Sequence, residues 1–155
     1  MRREYPSAPI VAVGVIIREG DRILLIRRDK EPSKGRWTFP GGAVELGEPL
    51  AHAARREARE ETGLEVEIGE VAAVIDNMIH DEAGRIRYHY VIVDYLAQPA
   101  GGSLQSATDV SDARWFRLAD LADLDMTEKA GQLARELLGR GVSQTGPVSD
   151  DPMQV

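Results

Sequence analysis

Apolar and polar positions occur in blocks along the first thirty residues. Residues 9–19 are PIVAVGVIIRE and residues 21–28 are DRILLIRR, with a polar turn around Gly20 between them. Two apolar runs rich in Val, Ile and Leu on either side of a Gly-containing turn are typical of a β-hairpin. The basic start followed by an apolar run faintly resembles a signal peptide. No small-residue cleavage site follows that run, so we predict two strands.

Residues 49–62, PLAHAARREAREET, have the period of an amphipathic α-helix. At about 100° per residue, Leu50 and the alanines at 53 and 54 form one apolar stripe. Glu57 and Glu61 fall in the middle of that stripe, and Glu60 falls at its edge. Because an unpaired buried carboxylate is costly, we expect a positive partner near these glutamates, either an arginine or a metal ion.

The rest of the chain alternates strand-like and polar segments. Pro49 and Gly63 suit the two ends of the helix. The other predicted elements are a loop at 29–48, strands at 64–80 and 85–97, a polar loop at 98–112, a short strand at 113–118 and an amphipathic helix at 127–139. This order predicts an α/β (α+β) fold in which helices pack on a central mixed β-sheet.

Length and composition indicate one globular domain. The chain has 155 residues, of which 43% are hydrophobic and 29% are charged. We predict that residues 1–140 form a single domain. Residues 141–155 contain few large apolar side chains, so we predict a disordered C-terminal tail there.

The net charge and the absence of cysteine disfavour several classes of binding partner and site. The net charge of −7 disfavours binding to nucleic acid or to an anionic membrane. No stretch is long and apolar enough to span a bilayer. The chain has no cysteine, so it has no disulfide and no thiolate site, which fits the reducing cytoplasm. An acidic protein can still bind a phosphorylated small molecule when metal ions bridge the two.

Residues 42–64, GAVELGEPLAHAARREAREETGL, follow the pattern G-x5-E-x7-R-E-U-x-E-E-x-G-U, where U is apolar. Its stations are Gly42, Glu48, Arg56, Glu57, Ala58, Glu60, Glu61, Gly63 and Leu64. The pattern resembles the Nudix box of the Nudix hydrolases, although an aliphatic residue larger than Ala58 is usual. The preceding RWTFPGG is also similar to that family, and the resemblance extends over about residues 8–138.

The resemblance implies a Nudix-type α/β/α sandwich with a loop–helix–loop catalytic motif and hydrolysis of a diphosphate linkage. In that family the carboxylates corresponding to Glu57, Glu60 and Glu61 hold Mg²⁺ or Mn²⁺. A backbone carbonyl at Gly41 or Gly42 completes the metal shell. Arg56 is expected to orient Glu57.

The residues alone leave two interpretations of the helix open. Three carboxylates at i, i+3 and i+4 form an oxygen-rich site that suits Mg²⁺ or Mn²⁺. Alternatively, the helix carries only surface ion pairs, with Arg56 and Glu60 paired at i, i+4. Taken alone, REAREE favours the ion pairs, whereas the complete spacing from Gly42 to Leu64 favours the metal site.

Residues outside the helix complete the predicted site. The resemblance implies one further acid from a later loop, for which Asp109 is favoured over Asp112 and Glu82. One of Glu57, Glu60 or Asp109 is expected to take the proton from water. Glu48 is expected to brace the loop or to bind a second metal through water. Substrate contacts are assigned to Arg28, Gly41, Gly42 and Tyr90.

Three functions are compatible with the sequence. The segments DEAGRIRYHYVIVDYLA and DVSDARWFRLADL resemble bacterial Nudix proteins of the ADP-ribose pyrophosphatase type. We therefore favour hydrolysis of ADP-ribose to AMP and ribose 5-phosphate. The resemblance also allows a MutT-like pyrophosphatase acting on 8-oxo-dGTP, or a non-catalytic nucleotide sensor. A small-molecule nucleotide is the expected partner, and homodimer formation is a further option.

Overall fold

The computed structural model describes residues 2–105 and 110–140. Its elements in chain order are β1 (Ile10–Glu19), β2 (Arg22–Arg28), β3 (Trp37–Thr38), β4 (Gly41–Ala43), α1 (Leu50–Thr62), β5 (Leu64–His80), β6 (Ile86–Gly102), β7 (Val110–Arg117) and α2 (Glu128–Gly139). A short 3-10 helix, Leu118–Leu121, lies between β7 and α2. No helix in these two ranges is long and apolar enough to cross a membrane.

Strand β1 is the centre of the sheet. It pairs in parallel with β6 and antiparallel with β4, and only its last residues pair with β2 across the predicted turn. Strand β2 continues beside β7 and β3 instead. The N-terminal hairpin is therefore confirmed at its turn, and the parallel β1–β6 pairing makes the sheet mixed, as predicted.

The two helices cover opposite faces of the sheet. Alternation along β1 sends Val13, Val15 and Ile17 to the face that packs on the alanines of α1. Ile16 faces the other way, into a cluster formed with α2. The structure thus has the α/β/α layers that the sequence predicted.

The C-terminal end of α1 depends on Gly63. This residue has a φ of +78°, and its N–H group donates a hydrogen bond to the carbonyl oxygen of Arg59. A side chain here would also place a Cβ atom 2.4 Å from the Ser103 carbonyl oxygen. The predicted C-terminal glycine is confirmed, whereas Pro49 precedes the first turn as its cap and is not part of it.

Two predicted loops are shorter than expected. Residues 29–48 contain β3 and β4, because these short segments pair with β2 and β1. The segment 98–112 begins inside β6, which continues to Gly102 opposite β5, and ends inside β7. The predicted tail at 141–155 lies outside the described residues.

Candidate active site

A cleft of about 1120 Å³ opens where β4 and α1 meet the sheet. Its walls come from α1 (the box helix), β4 (the glycine strand), β1, β5, β6 and the start of α2. The predicted residues that line it are Arg28, Gly41, Gly42, Arg56, Glu57, Glu60, Glu61 and Tyr90. Segments far apart in the sequence thus meet at one concave surface, which is the usual form of a small-molecule site.

Glu61 is the most buried acid of the box helix, with 7% of its surface exposed. The Gly41 N–H group donates a hydrogen bond of 3.1 Å to its Oε1 atom. Burial, followed by the negative charge of Glu57, raises the pKa of Glu61 to about 9. The Gly41 hydrogen bond and the charge of Arg28 act in the opposite direction. A cation in the cleft would stabilise this carboxylate in its ionised form.

Glu57 lies against the backbone of Gly42. A Cβ atom at position 42 would be 2.6 Å from the carboxyl carbon of Glu57, closer than packed atoms approach. Arg56 also constrains this carboxylate, because its Nη1 atom donates a hydrogen bond of 2.8 Å to Oε1. Glu57 is therefore held between a guanidinium group and a strand that carries no side chain at the contact.

Arg56 connects the box helix to the loop before it. Its Nε and Nη2 atoms donate to the two carboxylate oxygens of Glu48 at 2.8 and 2.9 Å, and Nη2 also donates to the Ala43 carbonyl oxygen at 3.2 Å. The Arg56 hydrogen bonds are the main reason that the pKa of Glu48 falls to about 2. The same contacts with Glu48 raise the pKa of Arg56. This geometry favours the loop-bracing role for Glu48.

Glu60 does not join the other two box carboxylates. Its side chain is 57% exposed, and its Oε2 atom accepts a hydrogen bond of 3.3 Å from Arg56. Within residues 2–105 and 110–140, no group of three or more His, Cys, Asp or Glu side chains is arranged to hold a metal ion. In this structure Glu60 therefore lies apart from the pair formed by Glu57 and Glu61, on the solvent side of the helix.

The pair that remains has donors suited to a hard divalent cation. Glu57 and Glu61 supply carboxylate oxygens beside the side-chain-free backbone of Gly41 and Gly42. The raised pKa of Glu61 is what a buried carboxylate shows when no cation accompanies it. These residues fit Mg²⁺ or Mn²⁺, with Glu57 and Glu61 as the side chains that would hold it.

The predicted substrate contacts occupy two regions of the cleft. The guanidinium group of Arg28 is held through its Nε atom, which donates to the Pro32 carbonyl oxygen at 2.7 Å, near the carboxylates. Tyr90 is 9% exposed and lies parallel to Tyr88, with ring centroids 6.4 Å apart. Arg28 thus lies at the end of the cleft that contains the carboxylates, whereas Tyr90 lies on the part of the sheet surface farther from them.

The acids proposed from later loops have different positions. Asp109 lies outside the described residues. Asp112 forms an ion pair of 2.7 Å with Arg114 and is not among the residues that line the cleft. Glu82 is exposed in the turn between β5 and β6, also away from the cleft. The structure brings neither Asp112 nor Glu82 to the carboxylate pair.

Asp94 is a cleft residue that was not predicted from the sequence. Only 3% of this residue is exposed, and its carboxyl group lies directly over the backbone of Gly14 in the cleft. Burial alone raises its pKa to about 7. One signal was present in the sequence: Asp94 is the single acid in the apolar run VIVDYL, and acids are rarely buried without a partner.

This chain is similar to known proteins over most of its length. The model of the NUDIX domain family matches residues 8–137, a range that contains all of the site residues described above. An ADP-ribose pyrophosphatase from Methanocaldococcus jannaschii is 36% identical over 116 residues, which cover 75% of this chain and 66% of that protein.

Two further proteins match over most of this chain. An 8-oxo-dGDP phosphatase of Homo sapiens is 31% identical over 123 residues, which cover 72% of this chain and 35% of that protein. The crystal structure of a MutT NUDIX hydrolase from Burkholderia pseudomallei has a TM-score of 0.72 at 33% identity, with 84% of this chain and 98% of that chain covered.

Proposed function

This chain belongs to the Nudix hydrolase family, and on that premise we propose that it hydrolyses the diphosphate bridge of ADP-ribose. Members of the family are pyrophosphohydrolases that act on small nucleotide substrates and generally use divalent metals. The observation that carries the proposal is the buried pair of Glu57 and Glu61 beside the glycine backbone of β4. The similarity to the archaeal pyrophosphatase supports ADP-ribose as the substrate.

Each residue of the pair and its surroundings has a proposed task. Bound at Glu57 and Glu61, Mg²⁺ or Mn²⁺ would neutralise phosphate charge and lower the pKa of a bound water molecule. Arg28 binds phosphate oxygens at the same end of the cleft. Arg56 fixes the rotamer of Glu57, and Gly42 leaves room for that carboxylate. One of Glu57, Glu60 or Asp109 accepts the proton from the attacking water.

The reaction follows from this arrangement. Water attacks one phosphorus atom of the bridge in line with the bond that breaks, and the other phosphate leaves. AMP and ribose 5-phosphate are the products. The protein accelerates the reaction chiefly by positioning the two reactants and by stabilising negative charge.

A second candidate function has its own support. The human relative is named as an 8-oxo-dGDP phosphatase, and it is 31% identical to this chain over the matched segment. An oxidised guanine nucleotide such as 8-oxo-dGTP is therefore the alternative substrate. A non-catalytic nucleotide sensor is the third candidate, and the intact box speaks against it.

The proposal extends to the whole chain in three respects. Residues 1–140 act as one Nudix domain, with 141–155 as an appended tail. The protein works in the cytoplasm on a free nucleotide and not on nucleic acid. Light scattering tests whether the chain forms a homodimer, which the single-chain site does not require.

One experiment tests substrate and catalysis together. The purified protein is incubated in the presence of Mg²⁺ with one compound at a time: ADP-ribose, 8-oxo-dGTP, 8-oxo-dGDP or dGTP. The products are resolved by chromatography. We expect AMP and ribose 5-phosphate, and the highest kcat/KM for ADP-ribose. A tenfold preference for an oxidised nucleotide, about 1.4 kcal/mol in transition-state binding, would replace ADP-ribose. Binding without turnover of any compound would indicate the sensor.

A further inference from the structure

Asp94 lies on a row of residues that crosses four strands. Its neighbours in register are Ala73 on β5 and Gly14 on β1, and Gly14 is in turn opposite Gly41 on β4. A Cβ atom at Gly14 would lie 1.9 Å from the Oδ1 atom of Asp94. The missing side chain at position 14 therefore gives the carboxyl group its place on the sheet.

The Asp94 carboxyl group has no partner in the part of the chain that the structure describes. In residues 2–105 and 110–140 it makes no hydrogen bond and no ion pair, and burial is the only cause of its raised pKa. A buried polar group without a hydrogen bond destabilises the fold. Asp94 lines the cleft, where a bound molecule can supply the partner that the described residues do not.

The surface next to Asp94 is largely apolar. Residues two and four positions back on β6 share its face, and these are Ile92 and Tyr90. Ile75 is opposite Ile92 on β5, and it lines the same cleft. Side chains of this kind pack against the face of a planar ring, and Asp94 stands at the edge of the surface that they form.

The charged end of the cleft lies within nucleotide reach of this surface. Asp94 and Gly41 are two strands apart, about 10 Å between backbones. The N–H group of Gly41 contacts Glu61, one of the two acids proposed to hold the cation that binds the diphosphate. A nucleotide whose diphosphate occupies that end is long enough to place its base near Asp94.

We propose that Asp94 is a specificity-determining residue whose carboxyl group forms two hydrogen bonds with the edge of the adenine ring. This inference rests on the proposed function, because it takes ADP-ribose as the substrate. Adenine presents an amino donor next to a ring-nitrogen acceptor. A protonated carboxyl group presents the complementary pair, an O–H donor and a carbonyl acceptor. The raised pKa of Asp94 and its apolar surroundings support the protonated form.

Two substitutions separate hydrogen bonding from shape and charge. Asp94→Asn keeps one donor and one acceptor, whereas Asp94→Leu keeps a similar volume and removes both. Asp76→Leu is the matched control, because Asp76 is on the adjacent strand with its side chain exposed on the opposite face. Each variant is assayed with ADP-ribose, with its analogue carrying hydrogen in place of the adenine 6-amino group, and with ADP-glucose.

The wild-type protein should prefer ADP-ribose over the 6-desamino analogue, which carries hydrogen at that position, by about tenfold or more in kcat/KM. Asp94→Asn and Asp76→Leu should keep that preference. Asp94→Leu should lose it, mainly through a higher KM for ADP-ribose. The proposal is overturned if Asp94→Leu keeps the preference, if Asp94→Asn loses it as fully as Leu does, or if only the ratio of ADP-ribose to ADP-glucose changes.

A binding measurement distinguishes failure of this inference from failure of the proposed function. Absence of ADP-ribose turnover by the wild-type protein would contradict the proposed function alone. Calorimetry with AMP and with the 6-desamino monophosphate then tests Asp94 directly. The melting temperature of each variant reports its folding. Tighter binding of AMP that depends on a donor and an acceptor at position 94 supports the proposal, and equal binding of the two monophosphates overturns it.

Discussion

Arg56 and Glu48 form a forked pair in which two N–H groups of the guanidinium donate to the two oxygens of one carboxylate, at 2.8 and 2.9 Å. Such pairs combine charge with a fixed planar geometry that lysine cannot reproduce. The same guanidinium positions Glu57. Through Arg56, the position of the Glu57 carboxylate in the cleft therefore depends on the position of the loop before α1.

We expect Arg56→Lys to lower kcat by at least about tenfold, because one ammonium group cannot hold Glu48 and Glu57 together. Steady-state kinetics gives kcat, and circular dichroism shows whether the variant is folded. Arg55→Lys is the matched control, since Arg55 is the neighbouring arginine on the exposed face of α1. Equal losses in the two variants would contradict the positioning role.

Glu61→Gln should reduce kcat by on the order of 100-fold without lowering the melting temperature. The amide oxygen can still accept the Gly41 hydrogen bond, and the amide replaces a carboxyl group whose burial already disfavours the charged form. Glu60→Gln should have a smaller effect, because the Glu60 side chain is 57% exposed and lies apart from the pair. Comparable losses in both variants would show that Glu60 turns inward when substrate binds.

Gly42→Ala should displace the Glu57 carboxylate and lower activity by about tenfold or more, while the chain stays folded. The added methyl group would lie 2.6 Å from the carboxyl carbon, so one of the two has to move. Gly139→Ala provides the comparison, since a Cβ atom there meets nothing within 4 Å. Activity of Gly42→Ala equal to that of this control would show that Glu57 needs no such space.

Divalent metal should stabilise the native protein. A metal that binds only the folded state at 100 times its dissociation constant contributes about 2.7 kcal/mol, which raises the melting temperature measured by differential scanning fluorimetry. EDTA should reverse the rise, and the Glu57→Gln, Glu61→Gln double variant should not show it. An equal rise in a monovalent salt of matched ionic strength would point to screening in place of binding.

The free energy of unfolding should fall as the pH rises from about 4 to 7, in part because of Asp94. Its pKa is about 7 in the native state and near 3.8 when exposed, so the native state holds one more proton in this window. One proton corresponds to about 1.4 kcal/mol per pH unit at most, and the contribution levels off above pH 7. Urea titrations should show a shallower pH dependence for Asp94→Asn. Identical pH dependences of the wild-type protein and Asp94→Asn would show that Asp94 does not cause the fall in the free energy of unfolding.

Local sequence patterns predicted much of this molecule because the information is local. The helical period and the box spacing specify α1, and Gly63 ends it. The position of Glu60 was harder to predict, because a helical wheel places it near the stripe without showing that Arg56 holds it outward. Asp94 could not be placed in the cleft from the sequence, because the position of its carboxyl group depends on Gly14, a residue on another strand.

The parallel pairing of β1 with β6 also bears on how the chain folds. Gly14 and Asp94 are adjacent in the sheet although 80 residues separate them in the sequence. Bringing such distant segments together requires closing a long loop before any contact compensates for it, which slows folding. During synthesis, the glycine strand and the box helix leave the ribosome well before β6. The surface proposed to recognise the base is therefore completed late, and a chain truncated before residue 86 would keep the whole box yet lack that surface.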